Sequence, residues 1–271
     1  MSPAGRLDST VVYRAALATI AAPLARVAEI RTLRLRSATL LQTYIGRQAG
    51  AQVLAGHIRR GDTQSIHAAI WLSDMRGFTS LADRMAAGDL IALLNRYFDC
   101  QVPVIEAGNG EVMKFMGDGL LAIFPVADHC PIRVCAAALA AARESRRRIF
   151  AIERKLMAER LPKLPLFSLA LHVGEVLYGN VGGGRRLDFT VIGPAVNVTA
   201  RLERLARDLG RSFVASAEFA ELCGETLSPL GHHVLRGIGA AQPAFGLSEE
   251  GHSAYRSAGP GSCSVSRAKV L

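Results

Sequence analysis

At 271 residues, half of them hydrophobic, the chain is long enough for one sizeable domain with extensions. Its net charge of +9 belongs to the ends: residues 1–60 hold nine Arg against Asp8 and Glu29, and residues 251–271 hold Arg256, Arg267 and Lys269 with no acid. A near-neutral middle without a basic stripe argues against a nucleic-acid partner. Five cysteines with no CxxC pair argue against a disulfide framework and for reduced thiols in the cytoplasm.

No apolar run reaches the ~18–20 residues of a membrane span, and the N-terminus lacks a clean signal-peptide pattern. The basic ends could touch acidic lipid, which would make the chain peripheral at a membrane, or a partner, or simply be solvated.

Residues 9–43 predict an Ala/Leu/Arg-rich helix broken by Pro23, and residues 44–62, richer in Gly and polar side chains, a connector. A strand at 67–73 ends in Asp74-Met-Arg-Gly-Phe-Thr. Apolar residues at helical spacing then mark 81–100 as helix. The stretch 110–124, GEVMKFMGDGLLAIF, predicts a hairpin with Asp-Gly at its turn. A long Ala-rich helix over 131–160 is ended by Pro162 and Pro165.

Strands are expected at 166–173, 176–181 and 188–192, with GGGRR (182–186) as the turn between the last two. A helix over 195–209 follows, then a strand at 212–215, a helix at 217–223 and strands at 233–237 and 244–247. Residues 251–271, rich in Ser and Gly, predict disorder. The expected organisation is a basic helical segment with connector (1–64, function unassigned), a folded domain (65–248) and a disordered tail (249–271). Strands mixed with helices predict an α+β sandwich, with helices covering one face of a largely antiparallel sheet.

Two carboxylates break the pattern. Asp74 ends a strand and Asp118 sits at a hairpin tip, both among apolar neighbours where desolvating a charge is expensive. Adjacent strands would bring them together and raise each other's pKa, which a divalent cation would relieve. Oxygen donors without a His or Cys cluster suit Mg²⁺ or Mn²⁺, and magnesium usually brings substrate phosphates. Met75-Arg-Gly-Phe-Thr leads from strand into helix and could cradle phosphate, although no P-loop motif is present. Lys114 sits inside an otherwise apolar strand. Asn197 and Arg201 share a helix face, an arrangement that on its own is usually a solvated surface.

Together these stretches resemble the class III nucleotidyl cyclases, the adenylate and guanylate cyclases: IWLSDMRGFTSLADR (70–84), EVMKFMGDGLLAIF (111–124), LHVGEVLYGNVGGGRRLDFTVIGPAVNVTARLE (171–203) and VLRGIGAAQPAFGL (234–247). The phrasing is of bacterial type. The resemblance implies a ferredoxin-like βαββαβ sandwich with additional strands and helices. It implies that Asp74, Asp118 and the Met75 carbonyl bind two metal ions, Mg²⁺ or Mn²⁺, per site. Gly77, Phe78 and Thr79 would hold the triphosphate, and Lys114 with Thr190 would read the purine. Asn197 would orient the ribose, Arg201 would meet charge on the α-phosphate, and Arg236 would bind the triphosphate.

The activity implied is conversion of ATP to 3′,5′-cyclic AMP and pyrophosphate at sites shared across a homodimer. Asp74 and Asp118 would come from one subunit, and Lys114, Thr190, Asn197, Arg201 and Arg236 from the other. The alternatives are a guanylate or mixed-specificity cyclase, or a catalytically silent nucleotide-binding regulator. Three positions depart from the family's commonest pattern: Thr190 for Asp, Pro194 for an acid and Arg236 for Lys.

Overall fold

A computed structural model of the chain describes residues 9–126, 129–158, 167–183 and 186–248. The expected tail at 249–271 and the GGGRR turn's residues 184 and 185 lie outside the described residues, as do Pro162 and Pro165. In chain order the elements are α1 (Ser9–Ile45), α2 (Arg47–Leu54), β1 (Thr63–Met75), α3 (Phe78–Ala82), α4 (Ala87–Asp99) and α5 (Val102–Ala107). There follow β2 (Glu111–Met116), β3 (Gly119–Pro125), α6 (Pro131–Ala158), β4 (Phe167–Gly183), β5 (Arg186–Ile192) and α7 (Pro194–Asp208). The domain closes with β6 (Phe213–Ser216), α8 (Ala217–Leu222), β7 (Ser228–His233) and β8 (Gln242–Gly246).

Among the described residues eight strands form one sheet in the order β2-β3-β1-β4-β6-β8-β7, with β5 paired to β4. The first four in sequence thus lie in the order 4-1-3-2 of a ferredoxin-like sandwich. The pairings are antiparallel except β4 with β6. The whole is an α+β fold.

β1 is central and buried on both faces, so its middle reads as an unbroken apolar run. Alternate side chains go to opposite cores. Ala69 and Trp71 join the larger one, with Leu120, Ala122, Phe124 and the Ala138, Leu139 and Ala142 stripe of α6. Ala68 and Ile70 join Leu121, Ile123, Val176, Tyr178 and Val191 on the other face. There α7 covers the sheet through Leu202 and Ala206, packed on Ala170 and Val214. Helices therefore lie on both faces, not on one: α7 has its own apolar stripe and must bury it.

Further expectations are corrected. Pro23 does not break α1, which runs on as one helix with Pro23 inside it; the ring forfeits one backbone bond, and the rest of a 37-residue helix holds. The connector contains α2, set off by Gly46 at φ 91° and packed back on α1 at Gly50, where a Cβ would lie 3.2 Å from Leu41 Cβ. The helix expected at 81–100 is divided into α3 and α4. The two strands expected at 166–181 are one, β4, which pairs along the whole of β1 from Thr63↔Gly179 to Met75↔Phe167. The strand expected at 233–237 lies earlier, as β7, and leaves Arg236 in a turn closed by the Ile238 N–H donating to Leu235 O at 2.9 Å.

Candidate active site

β1 delivers Asp74 to the edge of the core, and the β2–β3 hairpin delivers Asp118. The turn residues are Gly117 and Asp118, with Gly117 at φ 67°, so glycine takes the left-handed position and Asp118 does not need it. Gly119 already pairs in β3. A Cβ there would lie 3.3 Å from Ser73 O and 3.4 Å from Asp74 Oδ1, so its absence lets the tip close against β1. The Asp74 and Asp118 carboxylates lie close enough for each to feel the other's charge. Burial, and then the Asp118 charge, push the Asp74 carboxyl above its ordinary value; Arg207 and the Met75 N–H pull it back.

Asp74 has a partner within the chain as well: Arg207 Nη2 lies 2.9 Å from its Oδ2 and 2.7 Å from Oε2 of Glu203. Glu203 is buried, and its other oxygen accepts the Ser168 hydroxyl at 2.6 Å. From the opposite side Arg76 Nη2 donates to Ala206 O at 2.8 Å and to Arg211 O. The C-terminal end of α7 is thus stitched to the end of β1.

Two neighbouring carboxylates, one of them raised above its normal pKa by burial and then by the other's charge, fit a divalent cation. Among the described residues no group of three or more His, Cys, Asp and Glu is placed to hold a metal. The chain would therefore offer Asp74, Asp118 and the Met75 carbonyl, leaving positions for phosphate and water, as Mg²⁺ prefers. Beyond Met75 the chain turns at Gly77, φ 74°, into α3, whose Phe78 packs on the larger core while Thr79 stays exposed.

Lys114 reaches its position through a bulge. Val112 opposes Ala122, yet Lys114 opposes Leu121, so the ladder slips at Met113. Cross-strand partners share a face. Val112 therefore faces the α6 core with Ala122, whereas Lys114 is turned to the other face with Leu121. There its Nζ lies 3.1 Å from Asp188 Oδ2 of β5. Thr190, two residues along the same face of β5, is buried, and its Oγ1 has no hydrogen-bond partner.

β5 enters α7 through Gly193, φ 145°. Near that end Asn197 is exposed and Arg201 half-buried. A Cβ on Gly237 would be 3.4 Å from Arg201 Nη2, so the Arg201 guanidinium lies over the turn that carries Arg236.

The structure thus gathers the expected residues into two groups. Asp74, Met75, Gly77, Phe78, Thr79 and Asp118 converge at one end of β1. The second group spans β5 and α7: Lys114 meets Asp188, two residues from Thr190, and Asn197 and Arg201 follow on α7 with Arg236 in the turn beside Arg201. At Asp74 the α7 residue is Arg207, six positions and about 9 Å of helix beyond Arg201. Sequence reasoning missed Arg207, Glu203 and Asp188. The Glu203/Arg207 spacing of four was the available signal.

The family model described as the adenylate and guanylate cyclase catalytic domain matches residues 62–216. The chain belongs to that family. It is 33% identical over 177 residues to adenylate cyclase 1 of Rhizobium meliloti, covering 62% of this chain and 25% of that protein. Its fold matches a bacterial light-regulated adenylyl cyclase with a TM-score of 0.67 at 26% identity, over 84% of this chain and 64% of that one. It also matches the guanylyl cyclase Cya2 with a TM-score of 0.59 at 25% identity, over 70% and 97%. The chain spans about a third of the length of the mycobacterial relatives it matches at 33% identity.

Proposed function

We propose that the chain is an adenylate cyclase that converts ATP to 3′,5′-cyclic AMP and pyrophosphate at two sites shared across a homodimer. The observation that carries the choice of adenine is Lys114, turned by the β2 bulge so that its ammonium meets Asp188 of β5, two residues from Thr190 with its buried, unpartnered hydroxyl. An ammonium only donates, which suits adenine N1; the hydroxyl can accept from the adenine amino group. Guanine carries a donor at N1 and would leave both donors facing each other, a costly mismatch in a desolvated pocket.

Asp74 and Asp118 would hold divalent ions, which would supply charge neutralisation of the phosphates and a lower pKa for the ribose 3′-hydroxyl. Gly77, Phe78 and Thr79 offer backbone N–H groups to the triphosphate. Asn197 orients the ribose so that its 3′-oxygen meets the α-phosphorus in line. Arg201 stabilises the charge that grows on the α-phosphate in the transition state, and Arg236 holds the polyphosphate. The about 9 Å of α7 between Arg207 at Asp74 and Arg201 supports a site completed by a second subunit.

Exposed apolar side chains support the same reading: Phe115, Met116, Leu177, Ile192 and Val234 on the domain. On α1, Tyr13, Leu17, Ile20, Leu24 and Val27 are exposed at alternating steps of four and three, the spacing by which a helix pairs with its own copy.

A mixed specificity has one observation in its favour: the Thr190 hydroxyl can donate as well as accept. A silent regulator would lack one of Asp74, Asp118, Asn197 or Arg201, and all four are present. Turnover of ATP and GTP by the purified chain, with Mg²⁺ or Mn²⁺, is the test. ATP preference that Lys114→Glu weakens or reverses is the expected result. Full ATP activity and unchanged selectivity in Lys114→Glu would overturn the purine assignment.

A further inference from the structure

We propose that Arg207 is the resident counter-ion of the Asp74–Asp118 pair, a positioning residue that holds one oxygen of Asp74 and competes with the incoming divalent cation for its charge. The inference rests on the reading of these aspartates as metal ligands.

The two oxygens of Asp74 are divided. Oδ2 receives Arg207 at 2.9 Å, and Oδ1 lies on the side of the hairpin tip, 3.4 Å from where a Gly119 Cβ would be. The guanidinium is not a free surface arm. Oε2 of Glu203 holds it at 2.7 Å, and Glu203 is only 4% exposed, with its other oxygen fixed by Ser168. Without Arg207, three carboxylates (Asp74, Asp118 and Glu203) would converge on the end of β1 with no cation supplied by α7.

Arg207 also joins that charge balance to the helix that carries Asn197 and Arg201 nearer its start. A second tie makes the idea testable: Arg76 grips Ala206 O and Arg211 O from the β1 side, so the joint between β1 and α7 does not depend on Arg207 alone.

The signs of the expected effects separate a counter-ion from a mere structural link. Removing a positive charge a few ångströms from the ligand oxygens leaves the carboxylates a stronger cation site, by about five-fold when the charge is well screened. Removing Glu203's charge acts the other way, because Arg207 then bears on Asp74 undivided. A structural link predicts weaker metal binding in both cases.

Mn²⁺ binding to the full chain without nucleotide, followed by the paramagnetic resonance of the free ion, reads this directly. Arg207→Met should bind Mn²⁺ about five-fold tighter, Arg207→Lys close to wild type, and Glu203→Gln weaker. In thermal melts Arg207→Met should gain more from added Mn²⁺ than wild type does. Binding that Asp74→Asn abolishes but Arg207→Met leaves unchanged or weakens overturns the inference and leaves the metal reading standing. Were Arg207→Met not to fold, equal or tighter Mn²⁺ binding by Glu203→Gln would overturn it on its own. A wild-type chain that binds no Mn²⁺ at millimolar concentration removes the metal reading, and this inference with it.

Discussion

Asp118 occupies a turn position that demands nothing of its side chain, since Gly117 takes the positive φ. Its carboxylate is therefore free to serve chemistry, and Asp118→Asn should lower turnover by about a hundred-fold or more while moving the melting temperature by only a few degrees. Paired activity and melting measurements check both halves. His172 gives a different kind of expectation. It is 7% exposed, its Nδ1 lies 2.8 Å from Ser216 Oγ and 3.6 Å from Glu218 Oε2, and burial lowers its pKa. Glu218 opposes that shift and the neighbouring His67 adds to it. The unfolded chain thus takes up this proton at a higher pH, near ~6.5, than the folded one does. Stability should fall as pH drops below about 6.5, and melting curves against pH should lose part of that slope in His172→Gln. Asp74, Asp118 and Lys114 were legible in the sequence because each interrupts an apolar run. Arg207 and Asp188 were not, because a charge on a polar face breaks no pattern and its partner is distant in sequence.

The hairpin shows why element reading stops short of register. Alternation marks β2 and β3 as strands, but nothing in EVMKFM announces that Met113 bulges, and the bulge decides which face Lys114 takes. Strand ends were harder than strand centres for a similar reason: β1 and β4 extend beyond their apolar middles because they pair with each other over thirteen residues. At Gly179, φ 152°, a Cβ would lie 2.1 Å from Asp62 O, where the connector crosses β4. Gly179→Ala should therefore cost about 2 kcal/mol or more, measured by denaturant unfolding. The connector is part of the domain. Glu111, 5% exposed, accepts the Ala49 N–H at 3.1 Å and the Tyr178 hydroxyl at 2.9 Å, and Asn180 Nδ2 donates to His57 O at 2.9 Å. A chain shortened to begin at Asp62 removes Glu111's backbone donor and should lose about 1–3 kcal/mol, whereas one beginning at Gly46 keeps it.

At the scale of the whole molecule, each chain holds both groups of candidate residues, but its own α7 brings Arg207, not Arg201, to the carboxylates. Among the described residues no helix is long and apolar enough to cross a membrane. The family and the α+β fold were legible from four motifs in order, whereas a shared site is a property of two chains. Mixing Asp74→Ala with Arg201→Ala tests it most directly. Each homodimer should be nearly inactive, and a heterodimer should assemble one site from the two intact halves. Random pairing makes about half of the dimers mixed, each with one working site, so equal mixing should recover about a quarter of wild-type activity, in a manner that depends on protein concentration. Demonstrated heterodimers with no recovered activity, or full activity in a monomer at high dilution, would contradict the account.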